Sequence, residues 1–157
     1  AKLDDRLTKE AVSKTHWAGR MELVKDNLYV DGAHNPQGIR SFVDSVDSLY
    51  ESEKLSDATL LFSVVSDKNY DQMIKILCEC KHFKCVYVTM TGGVRRLSSE
   101  IIKQAFEVHL PGISIEIFDS VDGAVHEWDN GLMFATGSLY LVGDVVRALE
   151  RKENNHD

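Results

Sequence analysis

Three polar residues that could bind a ligand, Asp31, His34 and Asn35, lie where an apolar run ends and a helical pattern begins. Residues 28–30 suit a buried strand, Asn35 is a preferred N-cap residue, and Pro36 falls at the first helical position. In an α/β sheet such a junction lies at the carboxyl end of a strand, which is the edge where ligands usually bind. Asp31, His34 and Asn35 are therefore candidate site residues.

The elements that position this junction follow from hydrophobic periodicity. Two short apolar runs around a turn at residues 25–27 predict an antiparallel hairpin, and apolar residues at intervals of three and four predict a helix from Asn35 to about Glu53. Strands and helices then alternate to the end of the chain. The predicted strands span residues 58–65, 84–90, 114–118 and 132–135, and the predicted helices span residues 70–80, 98–106, 119–128 and 139–152, with a short helix at 8–14.

This order predicts an α/β fold in three layers. We expect a mostly parallel twisted sheet of about six strands, with an antiparallel N-terminal edge strand and helices on both faces. Five loops should then meet at one edge: residues 31–35, 66–69, 91–96, 119–120 and 136–138. Helix N-termini at Asn35 and Ser138, beside the cations Lys68, Arg95 and Arg96, predict an anionic ligand there.

Composition narrows the class of protein. A chain of 157 residues with a net charge of -7 fits one domain and excludes a general nucleic-acid surface. No apolar run is long enough to span a membrane, and the three cysteines fit neither a disulfide framework nor a zinc site. We expect a cytoplasmic monomer with a linker or docking segment at residues 1–16, one domain at residues 17–152 and a frayed tail at residues 153–157.

Four motifs in a fixed order carry a resemblance to a known family. They are WAGRME at residues 17–22, DGAHNP at residues 31–36, DK at residues 67–68 and GSLYLVG at residues 137–143. Over about residues 8–151 the chain resembles the C-terminal domain of folylpolyglutamate synthase and dihydrofolate synthase, which are members of the Mur ligase superfamily. The DGAHNP motif is the one that distinguishes the folate branch from the cell-wall branches.

The resemblance implies an ATP-dependent amide ligation. In this family a folate or dihydropteroate carboxylate is activated as an acyl phosphate, and the amino group of L-glutamate displaces the phosphate. An N-terminal P-loop ATPase domain holds most of the Mg²⁺ ligands, and the C-terminal domain closes over it. This sequence contains no such P-loop, so we expect the chain alone to be inactive.

The resemblance also implies roles for single residues. Arg20 and Asp31 contact ATP, and Ser138 holds the carboxylate of the incoming glutamate. His34 either stabilises the γ-phosphate or orients the glutamate, and Asn35 lies on the substrate side. No residue of this chain is expected to bind a metal.

Structural roles compete with each functional one. Asn35 and Asp31 could instead only cap a helix or a turn, and His34 could be only a turn residue. Trp17 could pack a hinge, and Asp67–Lys68 could only start a helix. Tyr140 is predicted to lie in the core. Either Arg95 or Arg96 matches a family arginine. Two other functions stay open: a Mur-type ligase for another acceptor, such as a cell-wall precursor, and a stand-alone module that binds a nucleotide or an acidic amino acid.

Overall fold

A computed structural model describes residues 20–65, 69–91 and 97–155. The predicted helix at residues 8–14 lies outside these residues, as do Trp17, Asp67, Lys68, Arg95 and Arg96. The strands are β1 (Glu22–Lys25), β2 (Leu28–Asp31), β3 (Ala58–Phe62), β4 (Phe83–Val88), β5 (Ser114–Ile117) and β6 (Met133–Thr136). The helices are α1 (Pro36–Ser52), α2 (Tyr70–Leu77), α3 (Ser99–His109), α4 (Val121–Glu127) and α5 (Leu139–Asn155).

The six strands form one sheet in the order β1-β2-β6-β3-β4-β5. β1 pairs with β2 antiparallel, and each of the other neighbouring pairs is parallel. This confirms the predicted mixed sheet with an antiparallel N-terminal edge strand. The last strand, β6, inserts between β2 and β3, an order that the sequence pattern does not specify.

Helices cover both faces of the sheet, as predicted. The apolar residues of α1, α2 and α3 pack into one buried cluster, and those of α4 and α5 pack into a second cluster on the opposite face. Phe134 of β6 packs edge-on against Phe42 of α1 and Phe83 of β4, with ring centroids 6.2 and 6.1 Å apart. This aromatic group fixes α1 over the middle of the sheet.

Some element boundaries differ from the prediction. β3 stops at Phe62, not at residue 65, because its ladder partners in β4 and β6 end at Val88 and Thr136, the residues paired with Phe62. α2 ends at Leu77 in a tight turn, and α5 continues to Asn155, where the side chains of Lys25 and Glu153 pair at 2.8 Å. Periodicity locates elements better than it locates their ends.

The cysteines are free, and Cys80 is buried. Burial raises the pKa of the Cys78 and Cys80 thiols to about 11, which keeps both protonated at neutral pH. They act as small apolar side chains. Within the described residues, no helix is long and apolar enough to cross a lipid bilayer.

Candidate functional site

The carboxyl ends of the five parallel strands lie at one edge of the sheet, as predicted. β6 is the point where the chain changes face, because α5 follows it on one face while α1 and α2 follow the neighbouring strands β2 and β3 on the other. Loops that diverge from adjacent strands leave a crevice between them, which is the usual ligand site of such sheets. The crevice lies between the β2–α1 loop, residues 32–35, and the β6–α5 loop, residues 137–138.

Asp31 ends β2 and is almost completely buried, with 3% of its surface exposed. Its Oδ1 accepts a hydrogen bond from the backbone N–H of Ala33 at 2.8 Å, and its Oδ2 accepts one from Met21 at 3.2 Å. Burial raises the pKa of the Asp31 carboxyl, while the two N–H donors and the charge of Arg20 lower it by less. Arg20 thus lies close enough for its charge to act on the Asp31 carboxyl, and the predicted contact of both residues with ATP stays a prediction.

His34 and Asn35 follow in the same loop and are exposed. His34 Nδ1 lies 3.0 Å from the carbonyl oxygen of Gly32. Because a carbonyl oxygen only accepts, this hydrogen bond requires a proton on Nδ1, and in the neutral ring Nε2 then carries the lone pair. Asn35 Oδ1 accepts a hydrogen bond from the backbone N–H of Gly38 at 2.7 Å, so the cap role of Asn35 is present, and the residue is exposed.

The β6–α5 loop contacts the β2–α1 loop directly. Gly137 donates its backbone N–H to the carbonyl of Ala33 at 3.1 Å. Gly137 has a φ of +121°, and a Cβ at this position would lie 2.0 Å from the carbonyl oxygen of Ser63. Only glycine fits here, so the GS pair of the fourth motif has a steric basis.

Ser138 is also buried, with 1% of its surface exposed, and its Oγ accepts a hydrogen bond from the N–H of Tyr140 at 3.0 Å. The hydroxyl caps the first turn of α5 and keeps its own proton for donation. Thr136, two residues before Ser138, is paired with Asp31 across the β2–β6 ladder, about 5 Å away. The predicted closeness of these two loops is confirmed.

The prediction that Tyr140 lies in the core is wrong. Tyr140 is 56% exposed, and Leu139 beside it is 61% exposed. The buried stripe of α5 is Leu141, Val145, Ala148 and Leu149. Since each residue of a helix is rotated about 100° from the next, Tyr140 points away from the stripe that starts at Leu141. An exposed apolar pair therefore lies beside Ser138 at the edge of the crevice.

The sequence interpretation also missed a row of buried hydroxyls along this edge. Ser63, Thr89, Thr91 and Thr136 carry side-chain hydroxyls that have no hydrogen-bond partner in the described part of the chain. They lie at or just beyond the ends of the three central strands β6, β3 and β4. Their only sequence signal is a Ser or Thr that follows a continuous apolar run. Buried hydroxyls in this position suit ordered water or ligand oxygens.

Asp119 and Ser120 belong to the same edge but lie three strands from β6. They line an open groove of about 740 Å³ between α4 and α5. Both carboxylate oxygens of Asp122 in that groove bind Arg151 at 2.9 Å, so these two opposite charges pair with each other. Asp119–Ser120 is thus remote from His34 and Ser138.

No group of three or more His, Cys, Asp or Glu side chains in residues 20–65, 69–91 and 97–155 is arranged to hold a metal ion. The chemistry available in the crevice is therefore hydrogen bonding, the charges of Arg20 and Asp31, and the His34 ring. These groups suit the binding of anions and the orientation of an amine.

One known protein family matches most of this chain. The family described as Mur ligase, glutamate ligase domain, matches residues 19–142. The chain belongs to this family. The match begins one residue before Arg20 and covers both loops of the crevice.

Curated relatives of this Mur ligase domain are folate enzymes. The dihydrofolate synthase/folylpolyglutamate synthase of Bacillus subtilis is 28% identical over 96% of this chain and 34% of its own length. The folylpolyglutamate synthase of Lacticaseibacillus casei is 25% identical over 90% of this chain and 32% of its own length. The chain spans about a third of the length of these relatives.

Solved structures agree with this relationship. The folylpolyglutamate synthase of Thermotoga maritima superimposes with a TM-score of 0.72 at 25% identity, over 85% of this chain and 31% of the other. The Mycobacterium tuberculosis folylpolyglutamate synthase complexed with ADP and AMPPCP gives a TM-score of 0.65 at 23% identity, over 83% of this chain and 31% of the other. The second likeness is one of fold alone. The resemblance expected from the four motifs is confirmed.

Proposed function

We propose that this Mur ligase domain is the C-terminal part of an ATP-dependent folate ligase. In this proposal the enzyme joins L-glutamate to the carboxylate of a folate or of dihydropteroate through an acyl phosphate, in the cytoplasm and as a monomer. The supporting observation is the crevice at β6, where Asp31 and His34 lie on the β2 side with Arg20 close to Asp31, and Ser138 lies on the β6 side. The names of the two curated relatives support the folate acceptor.

The ATP side is formed by Arg20 and Asp31. A guanidinium binds phosphate oxygens or stacks on a nucleobase, and the buried carboxylate beside it keeps that charge at the crevice. Mg²⁺ would neutralise the phosphates of ATP. Because the described residues contain no cluster that could hold it, we assign its ligands to a P-loop domain outside this chain.

The glutamate side is formed by Ser138, Asn35 and His34. The hydroxyl proton of Ser138 and the N-terminal end of α5 suit a carboxylate, and the side-chain amide of the exposed Asn35 provides another donor. All three kinds of group favour the anionic end of an amino acid. With the carboxylate of the amino acid bound by these donors, its amino group can interact with the His34 ring.

The hydrogen bond of His34 supports one of its two predicted roles. With Nδ1 protonated toward Gly32, the neutral ring offers a lone pair at Nε2, which repels phosphate oxygens but accepts a proton from an ammonium group. The glutamate –NH₃⁺ gives one proton to Nε2, and the amine attacks the acyl carbon. A C–N bond forms, the acyl C–O bond to phosphate breaks, and the departing phosphate takes the second proton from the amine nitrogen as it leaves. We therefore assign His34 to the glutamate amine.

The test is a ligation assay of the full-length protein with ATP, L-glutamate and either a reduced folate or dihydropteroate. We expect His34→Ala to lower kcat by about 100-fold, as for loss of a general base, and Ser138→Ala to raise the KM for glutamate. His126→Ala changes an exposed histidine on α4 and is the control. Normal turnover of His34→Ala would reject the His34 role, and activity only with a nucleotide-linked muramyl acceptor would reject the folate assignment.

A further inference from the structure

Thr136, the last residue of β6, carries one of the buried hydroxyls that have no hydrogen-bond partner in the described part of the chain. The residue is completely buried. A buried hydroxyl without a partner is costly, and valine has nearly the same shape without that cost and suits a strand equally well. A threonine at this position therefore indicates that its hydroxyl has a partner in the working protein.

The neighbours of Thr136 in the sheet are Asp31 of β2 on one side and Phe62 of β3 on the other. The phenyl ring has no oxygen or nitrogen to accept a hydrogen bond, whereas the carboxylate of Asp31 does. Paired residues of adjacent strands lie about 5 Å apart, so two side chains on the same face are within reach of each other. Asp31 is thus the polar neighbour of Thr136 in the ladder.

The side chains of Asp31 and Thr136 point to the same face of the sheet. The pair two residues earlier in the same ladder is Tyr29 and Phe134, whose rings stack with centroids 5.2 Å apart. Because side chains alternate along a strand, Asp31 and Thr136 form the next pair on that face. This is the face that α1 covers.

The buried hydroxyl of Thr89 lies on the opposite face. Thr89 follows Val88, which packs against the helices α1 to α3, so alternation turns its side chain toward α4 and α5. It also lies at the end of β4, two strands from β6. Thr89 therefore matches Thr136 in residue type, burial and lack of a partner, but it lies away from Asp31.

The Asp31 carboxylate can accept a further hydrogen bond. Its Oδ1 accepts the N–H of Ala33 at 2.8 Å and its Oδ2 accepts that of Met21 at 3.2 Å, whereas a carboxylate has about four lone-pair sites. Rotation about the Cα–Cβ bond of Thr136 exchanges its hydroxyl with a methyl group of similar size, so the hydroxyl can turn toward the carboxylate within the same space. Such a bond favours the ionised carboxylate, whereas burial raises its pKa.

We propose that Thr136 is a positioning residue: its hydroxyl donates a hydrogen bond to the Asp31 carboxylate and holds it in the orientation in which it contacts the nucleotide. In its consequence for ATP this rests on the proposed function. Asp31 keeps its contact with ATP, and Thr136 acts through that carboxylate. The sequence TGS at residues 136–138 then serves both sides of the crevice, with its threonine on the ATP side and its serine on the glutamate side.

The contact is tested on the 157-residue chain by NMR, which follows the carboxyl carbon of Asp31 as the pH is varied. Thr136→Val should raise the titration midpoint of Asp31 by at least about 0.5 pH unit, as for loss of one hydrogen bond to the charged form. Thr136→Ser keeps the hydroxyl and should stay near the wild-type midpoint, and Thr89→Val should leave that midpoint unchanged. Thr136→Ala should raise the midpoint as well and replaces the valine variant if that variant fails to fold. An Asp31 midpoint that is unaffected by loss of the Thr136 hydroxyl would overturn the proposal, whatever reaction the protein catalyses.

The positioning role is tested by steady-state kinetics of the full-length ligase. Thr136→Val should raise the KM for ATP about threefold to tenfold and leave the KM for glutamate near its wild-type value, because Asp31 lies on the ATP side. Thr136→Ser should restore the wild-type KM for ATP. An unchanged KM for ATP in Thr136→Val, or a rise in the KM for glutamate alone, would overturn the positioning role. Absence of ligation by the wild-type protein would reject the proposed function, and the NMR titration would still decide whether Thr136 binds Asp31.

Discussion

At the scale of single residues, the crevice depends on a few positions that allow no alternative. Gly137 is the clearest, because it donates to Ala33 and approaches the carbonyl of Ser63 too closely for any Cβ. It joins the loops that follow β2, β3 and β6. A change at this position should therefore disturb all three loops at once.

Gly137→Ala should lower the free energy of unfolding by at least about 3 kcal/mol, because it adds both backbone strain and a steric clash. Gly112→Ala is the matched control, since Gly112 also has a positive φ, of +88°, but has no atom within 4 Å of the added Cβ. The control should cost only about 1 kcal/mol. Urea unfolding followed by circular dichroism measures both, and equal losses would contradict the assigned clash.

At the scale of elements, the loops of the crevice are set by the starts of α1 and α5. Asn35 caps α1 through Gly38, and Ser138 caps α5 through Tyr140. The same side chains are proposed to face the glutamate. Each cap is thus both a structural and a candidate binding residue, and the two roles can be separated.

Asn35→Ala should cost about 1 kcal/mol of stability through loss of the cap, and so should Ser120→Ala, whose hydroxyl caps α4 through Gly123 three strands from the crevice. Only Asn35→Ala should raise the KM for glutamate. Asn35→Asp restores the cap but places a negative charge beside a carboxylate, so its stability should be near that of the wild type while its KM for glutamate rises further. Thermal unfolding and steady-state kinetics give the two readouts. Normal kinetics in Asn35→Asp would mean that Asn35 is only a cap.

At the scale of the whole molecule, the crevice contains the residues proposed to bind ATP and glutamate, but the described part of the chain has no phosphate-binding loop. The exposed pair Leu139–Tyr140 lies at its edge, and the chain spans about a third of the length of its curated relatives. In the proposed ligase, these features form one half of a site that a second domain completes. Binding energy divided between two domains is lost when one of them is absent.

The 157-residue chain alone should therefore bind ATP too weakly to detect by calorimetry at micromolar concentrations, whereas the full-length protein should bind it with a micromolar Kd in the presence of Mg²⁺. Arg20→Ala in the full-length protein should weaken this binding, and Arg147→Ala, on the outer surface of α5, should leave it unchanged. Micromolar binding by the chain alone would instead identify a stand-alone nucleotide module.

The sequence by itself determined the class of fold, the positions of the helices and strands, and the family. Periodicities of 2 and 3.6 residues and the residues at helix starts are local properties, so Asn35, Ser98 and Ser120 were recognisable as helix starts. The four motifs indicated a resemblance to the folate branch of that family. Parallel pairing alone was enough to predict that five loops share one edge.

Only the tertiary structure decided which of those loops are neighbours. The insertion of β6 between β2 and β3 places Thr136, two residues before Ser138, beside Asp31 and leaves Asp119 three strands from β6, because strand order depends on long-range pairing. Only in the folded chain is Tyr140 seen to be exposed and Asp31 seen to be buried and hydrogen-bonded to Met21. The four buried hydroxyls along one edge of the sheet likewise become apparent only there. These are contacts between residues far apart in the chain, and no local pattern encodes them. The DGAHNP loop was visible in the sequence, but the way its aspartate holds the start of the domain was visible only in the fold.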